Sequence, residues 1–122
     1  MESGKKTFKA ALRVSGTSVS VSEIENVFGV SATDGSRKHH VWIYDSGLAD
    51  GEELSEHLCV LLELLENSDW SYLTKIAGMH IDLFCMYGAE DGQGSMTLDS
   101  SLLKRLAAQG INLTLDLYPP TS

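Results

Sequence analysis

The sequence predicts an α+β fold, a two-layer sandwich whose mixed or mainly antiparallel sheet of about five strands carries helices packed on one face. Three observations lead there. Thr7–Ser15 and Ile111–Tyr118 alternate apolar and polar residues with period two, the mark of half-buried strands. Asp50–Glu66 places Leu54, Leu58, Leu61, Leu62 and Leu65 on one helical stripe. Strand-like and helix-like segments interleave along the chain, each with one apolar face, which suits a sheet covered on one side by helices. A chain of 122 residues is long enough for one self-supporting core, expected over 7–118 between short tails at 1–6 and 119–122.

In order, the first strand puts Phe8, Ala10, Leu12 and Val14 on one face and is closed by Ser15-Gly16. Ser18 or Ser20 can cap a short helix through Val21, Ile24, Val27 and Phe28, with Gly29 as its stop. Ser31–Lys38 reads as a loop around Asp34-Gly35. In the second strand, His39–Asp45, Val41 and Ile43 oppose His40, Trp42 and Tyr44, so both faces carry bulk. The long helix follows, with Asp50 and Glu53 spaced as a capping box. Trp70–Ala77 suggests a shorter helix ending at Gly78. Met79–Tyr87 is the third strand, with Met79, Ile81, Leu83 and Cys85 facing the core. The glycine-rich linker Gly88–Ser95 is expected to turn a hairpin into a short strand at Met96–Leu98. Asp99 or Ser100 caps a helix carrying Leu102, Leu103, Leu106 and Ala107, and Gly110 ends it before the last strand. The recurrence of strand–helix–strand in both halves allows a ferredoxin-like duplication.

The formal net charge is −8, and its distribution matters more than its sum. Of the 17 acids, eight lie between Asp45 and Asp69, where there is no Lys or Arg, and the other nine balance the nine bases. Asp50, Glu52, Glu53, Glu56, Glu63 and Glu66 therefore make the long helix an acidic surface that would attract a basic protein. Direct nucleic-acid binding is disfavoured, because it needs a concentrated basic surface. No apolar run reaches the roughly 20 residues of a membrane span. The start MESGKKTFKA has no signal-peptide core, which makes the cytosol the expected compartment. Cys59 and Cys85 read as small buried hydrophobes rather than a disulfide.

Chemistry-bearing groups are sparse. His80 and Asp82 point the same way on one strand, and Asp116 lies on the polar side of the last. If those strands neighbour each other, the three can converge as a metal or acid–base set, with Arg13 and Lys9 as cross-strand counter-charges. Adjacent His39 and His40 face opposite ways, and His57, four after Glu53, suggests an exposed ion pair. No Cys-x-x-Cys pair is present. No serine sits in a Gly-x-Ser-x-Gly turn, and Gly88–Ser95 lacks the Gly-Lys-Ser/Thr and helix of a phosphate-binding loop. No metal or cofactor is expected. Trp42, Tyr44, Phe84, Met86 and Tyr118 fall on the phase opposite the inferred core stripes. With His80, Asp82, Asp116 and Arg13 they offer a recognition surface on the sheet.

The segments TFKAALRVSG, SEIENVFGV, VWIYDSGL and LLKRLAAQGINLTLDLYP, together spanning about Thr7 to Tyr118, resemble a bacterial family catalogued as domain-of-unknown-function family 4279. The shared features are fold-determining, and the resemblance implies no activity and no catalytic residue. In size and charge the chain is also similar to small acidic immunity proteins, which sequester a toxin. The expectation is a non-catalytic binding protein, an immunity-type inhibitor whose acidic helix neutralises a basic toxin such as a nuclease. The alternatives are a small-molecule binder or minor enzyme using Trp42, Tyr44, His80, Asp82, Asp116 and Tyr118, or a homodimeric interaction module.

Overall fold

The computed structural model describes residues 6–16, 18–33, 41–89 and 96–118, with Ala89 and Tyr118 in backbone only. His39, His40, the Asp34-Gly35 loop, residues 90–95 and the expected tails apart from Lys6 lie outside the described residues. The elements are β1 (Lys6–Ser15), α1 (Val21–Phe28), β2 (Val41–Asp45), α2 (Leu54–Glu66), a 3₁₀ helix (Ser71–Lys75), β3 (His80–Ala89), α3 (Ser100–Gln109) and β4 (Asn112–Tyr118). The sheet is mixed and has the order β2-β1-β3-β4. β1 runs antiparallel to β2 and β3, and β4 runs parallel to β3.

Two expectations change here. The described sheet has four strands, not about five, and Met96–Leu98 joins no ladder. The reason is topological: β3 is already paired on both sides, by β1 and β4, so a hairpin partner finds no free edge. Met96 and Leu98 pack against the core instead. The halves are also not repeats, since β1–α1–β2 joins antiparallel strands while β3–α3–β4 joins parallel ones.

Local chemistry sets the helix ends. The Ser20 hydroxyl accepts from the Glu23 amide at 3.1 Å, and Gly29 takes the left-handed conformation that closes α1. The Asp99 carboxylate accepts from the Leu102 amide at 2.8 Å, and Gly110 closes α3 in the same way. At α2 the anticipated capping box does not form. The N-cap is Glu53, without a side-chain hydrogen bond. Asp50 lies too far upstream; its carbonyl accepts from the Phe8 amide at 2.9 Å, tying the α2 approach to β1. The segment after α2 is a 3₁₀ turn rather than an α-helix.

The core lies between the helices and one face of the sheet. Phe8, Ala10, Leu12, Val14, Leu83 and Cys85 meet the five leucines of the α2 stripe, with Ile24, Phe28, Leu102 and Leu106 from the other helices. Each leucine so buried contributes about 2 kcal/mol relative to an exposed one. Trp42 belongs to this core at 1% exposure, which corrects its placement on the opposite face. Register explains it, because Trp42 and Tyr44 sit opposite Val14 and Leu12. Trp42 stacks between Phe28 and Tyr44, and its indole N–H donates to Glu25 at 3.3 Å, so its polar atom is satisfied inside. Val41 and Ile43 take the outer face instead.

Candidate functional site

The helix-free face of the sheet is built by alternation. Register aligns Arg13, Asp82 and Asn112 in one row, Ala11, Phe84 and Thr114 in the next, and Lys9, Met86 and Asp116 beyond. No described element covers these rows. At their centre the Arg13 guanidinium forks onto Asp82, Nε to Oδ1 at 2.9 Å and Nη2 to Oδ2 at 2.6 Å. Thr114 donates to the same carboxylate at 2.7 Å, and Arg13 lies 4.4 Å above the Phe84 ring. Burial opposes the Asp82 charge, but the Arg13 and Thr114 hydrogen bonds and the nearby cation outweigh it and hold its carboxyl below the ordinary range. The Arg13 guanidinium is correspondingly raised, chiefly by its bond to Asp82.

Beside this network, a cleft of about 560 Å³ opens at the base of the sheet. His80, Asp82, Asn112 and Thr114 line it on the open face, and Trp70 and Thr74 form its far rim. The Trp70 indole N–H donates to Gln109 at 3.0 Å, which anchors that rim to α3. Arg13 and Asp82 were legible as a cross-strand pair. Thr114 and Asn112 were not, because only the parallel β3–β4 register brings them to Asp82, nor was the 3₁₀ rim, which is held through the contact of Trp70 with Gln109 of α3.

The expected convergence of His80, Asp82 and Asp116 does not occur. Asp82 is level with Asn112 and Asp116 with Met86, so the two acids are staggered by four residues, about 13 Å along the strands. Among the described residues no three metal-ligating side chains gather. Trp42 and Tyr44 lie on the core side and cannot join this face. The side chain of Tyr118 lies outside the described residues.

His57 is also not the exposed ion-pair member its spacing suggests. It is 1% exposed, with Nδ1 2.6 Å from the Ser46 hydroxyl and Nε2 buried without a partner among the described residues. Ser46 in turn lies in the β2–α2 connection, where its hydroxyl accepts from the Leu48 amide at 3.3 Å. The Cys85 thiol, pushed up to about 12 mainly by burial, stays protonated on the core side. Both cysteines are free. Among the described residues, then, the one carboxylate in the cleft is saturated by its own neighbours, and His57 and Cys85 are sealed away from it.

The acidic surface has a different character. Asp50, Glu52, Glu53, Glu56, Glu63 and Glu66 are all exposed. Glu56 and Glu63, seven residues apart, stand about 10 Å from each other on one side of α2. Glu66 is held by Arg105 from α3 in two 2.9 Å bonds, which lower its carboxyl, and Asp50 lies 4.0 Å from Lys9. Glu52, Glu53, Glu56 and Glu63 form no ion pair among the described residues. No described helix is long and apolar enough to cross a membrane.

No curated protein and no solved structure matches the chain. Residues 6–120 match the family described as Domain of unknown function (DUF4279). That match spans nearly the whole sequence, and the chain belongs to the DUF4279 family.

Proposed function

We propose that this chain is a binding protein rather than an enzyme, and that the acidic side of α2 is its docking surface. The observation that carries the reading is the exposure of Glu52, Glu53, Glu56 and Glu63 with no cation against them among the described residues. The cations Lys9, Arg13 and Arg105 are each set against other acids, Asp50, Asp82 and Glu66. A surface so biased steers a basic protein toward α2 and speeds its association. Within this reading the partner is a toxin whose cationic surface normally grips phosphate, as a nuclease does, and the chain acts as its immunity-type inhibitor.

The test is charge reversal. A Glu53→Lys/Glu56→Lys/Glu63→Lys variant keeps the fold, because these side chains are exposed. From lysate of the source cell, wild type is expected to retain a stoichiometric basic protein at low salt and lose it at high salt. The variant retains none, and the captured protein's nuclease activity falls on adding wild type alone. Equal capture by both forms removes α2 from the interface.

The cleft beside Arg13 and His80 supports a second reading, a small-molecule site, since its volume is within the range of ligand pockets. A compound that raises the melting temperature of wild type and of the charge-reversed variant alike favours that reading.

A further inference from the structure

The two edges of the sheet are finished differently. At the β2 edge, chain from the α1–β2 connection lies alongside: the Thr33 amide donates to the Ile43 carbonyl at 2.9 Å, and the Thr33 hydroxyl accepts from the Asp45 amide at 2.6 Å. At the β4 edge no described residue pairs with the outer side of Asn112–Tyr118. Sheets ordinarily blunt an open edge with charge, proline, a bulge or a cover. Within Asn112–Tyr118 there is no proline, and its one charge, Asp116, lies on the face away from the helices.

Among the described residues, the helix-side face of this edge is apolar and only partly covered. Leu113, Leu115 and Leu117 are 38%, 40% and 61% exposed, and Leu103 of α3 is 48% exposed. Apart from Tyr72, these are the exposed large hydrophobics among the described residues, and three of the four, Leu113, Leu115 and Leu117, share one face of β4. The register of β4 gives these leucines the core-side phase, but as the outermost strand β4 extends past the cover of α3.

We propose that β4 pairs antiparallel with β4 of a second copy, about a two-fold axis at Leu115, to make one continuous sheet through the dimer. Self-complementarity selects this occupant and this register. With the axis at Leu115, that residue faces itself and Leu113 faces the second copy's Leu117, so all three leucines meet leucines. On the other face each Asp116 meets a neutral Thr114. Moving the axis one residue to Asp116 would set two carboxylates against each other, which is repulsive. Charge permits the approach: α3 contains Lys104 and Arg105 and no acid, and the acidic excess lies at 45–69. This assignment is independent of the α2 docking surface.

The test is sedimentation of the full chain from micromolar to hundred-micromolar concentration. Wild type is expected to associate to a dimer, and Leu115→Lys or Leu117→Lys to weaken it by at least about tenfold, since each opposes like charges or strands a Lys against leucine. Circular dichroism and melting temperature are read alongside, because these exposed positions leave the fold intact. Placement of the axis is read by Cys59→Ala/Cys85→Ala/Leu115→Cys, which also removes the thiol level with residue 115 on β3; its new thiols face each other across the two-fold axis and form a reducible covalent dimer on mild oxidation. Cys59→Ala/Cys85→Ala/Tyr72→Cys is the control and stays uncrosslinked. A monomeric wild type overturns the proposal and leaves the edge to a strand of another protein. A dimer untouched by both Lys variants moves the interface off β4, and a Lys-sensitive dimer that fails to crosslink through residue 115 overturns the register.

Discussion

The Arg13–Asp82 pair shows how a single side chain's setting limits what it does. Asp82 accepts three hydrogen bonds and faces a stacked guanidinium, so it serves as a structural anion rather than a base. Its folded carboxyl titrates below its unfolded value. The stability it supplies is therefore present above the ordinary carboxylate range and is lost as pH falls through the lowered folded value. Asp82→Asn is expected to lower stability by about 1–2 kcal/mol at neutral pH, with partial exposure of the pair holding the figure down. Thermal melts across the acid range check the sign: the gap between the two proteins narrows as pH falls, and a constant gap means the charge contributes nothing. This pair was readable in advance, because opposite charges at matched polar positions of two strands are a local signal. Trp42 and His57 were not. A strand bulky on both faces does not declare which side is the core, and Glu25, seventeen residues away, accepts the indole N–H that lets Trp42 turn inward. His57 lies on the α2 face that covers the sheet, where Ser46 of the preceding connection meets its ring, a contact no helical spacing encodes.

At the scale of elements, the helix caps divide into those that carry a side-chain bond and one that does not. Ser20 and Asp99 each hold an amide of the first turn, whereas Glu53 holds none. Asp99→Ala is expected to cost about 1 kcal/mol, and Glu53→Ala close to nothing, in chemical unfolding with unchanged m-values. Equal costs would mean that Glu53 caps α2 in solution after all. The sequence pattern foresaw all three helices and all four strands, since period and cap residues are local. It missed what depends on neighbours. Whether Met96–Leu98 pairs is decided by β3 having both edges occupied, and whether the β4 leucines are buried is decided by how far α3 reaches across the sheet.

Across the whole molecule, charge and stability pull in opposite directions on α2. Acids favour the first turn of a helix, where backbone N–H groups are unpaired, and disfavour the last, where carbonyls are. Glu56 occupies the first turn, while Glu63 and Glu66 lie toward the C-terminal end, which carries no basic residue of its own. Arg105 offsets Glu66 from α3, and nothing among the described residues offsets Glu63. Glu63 is thus an exposed acid held against the helix dipole and beside another carboxylate three residues on, an arrangement that costs a few tenths of a kcal/mol. Glu63→Lys is therefore expected to raise the melting temperature slightly at low ionic strength, with the gain fading as salt screens the surface. Glu56→Lys, which loses a favourable dipole contact, is expected to be neutral or slightly destabilising under the same conditions. An acid that lowers stability yet sits on the proposed docking face fits a surface shaped for a partner, where function and stability trade against each other. If Glu63→Lys instead lowers the melting temperature, Glu63 supports the fold, and its exposure no longer argues for binding.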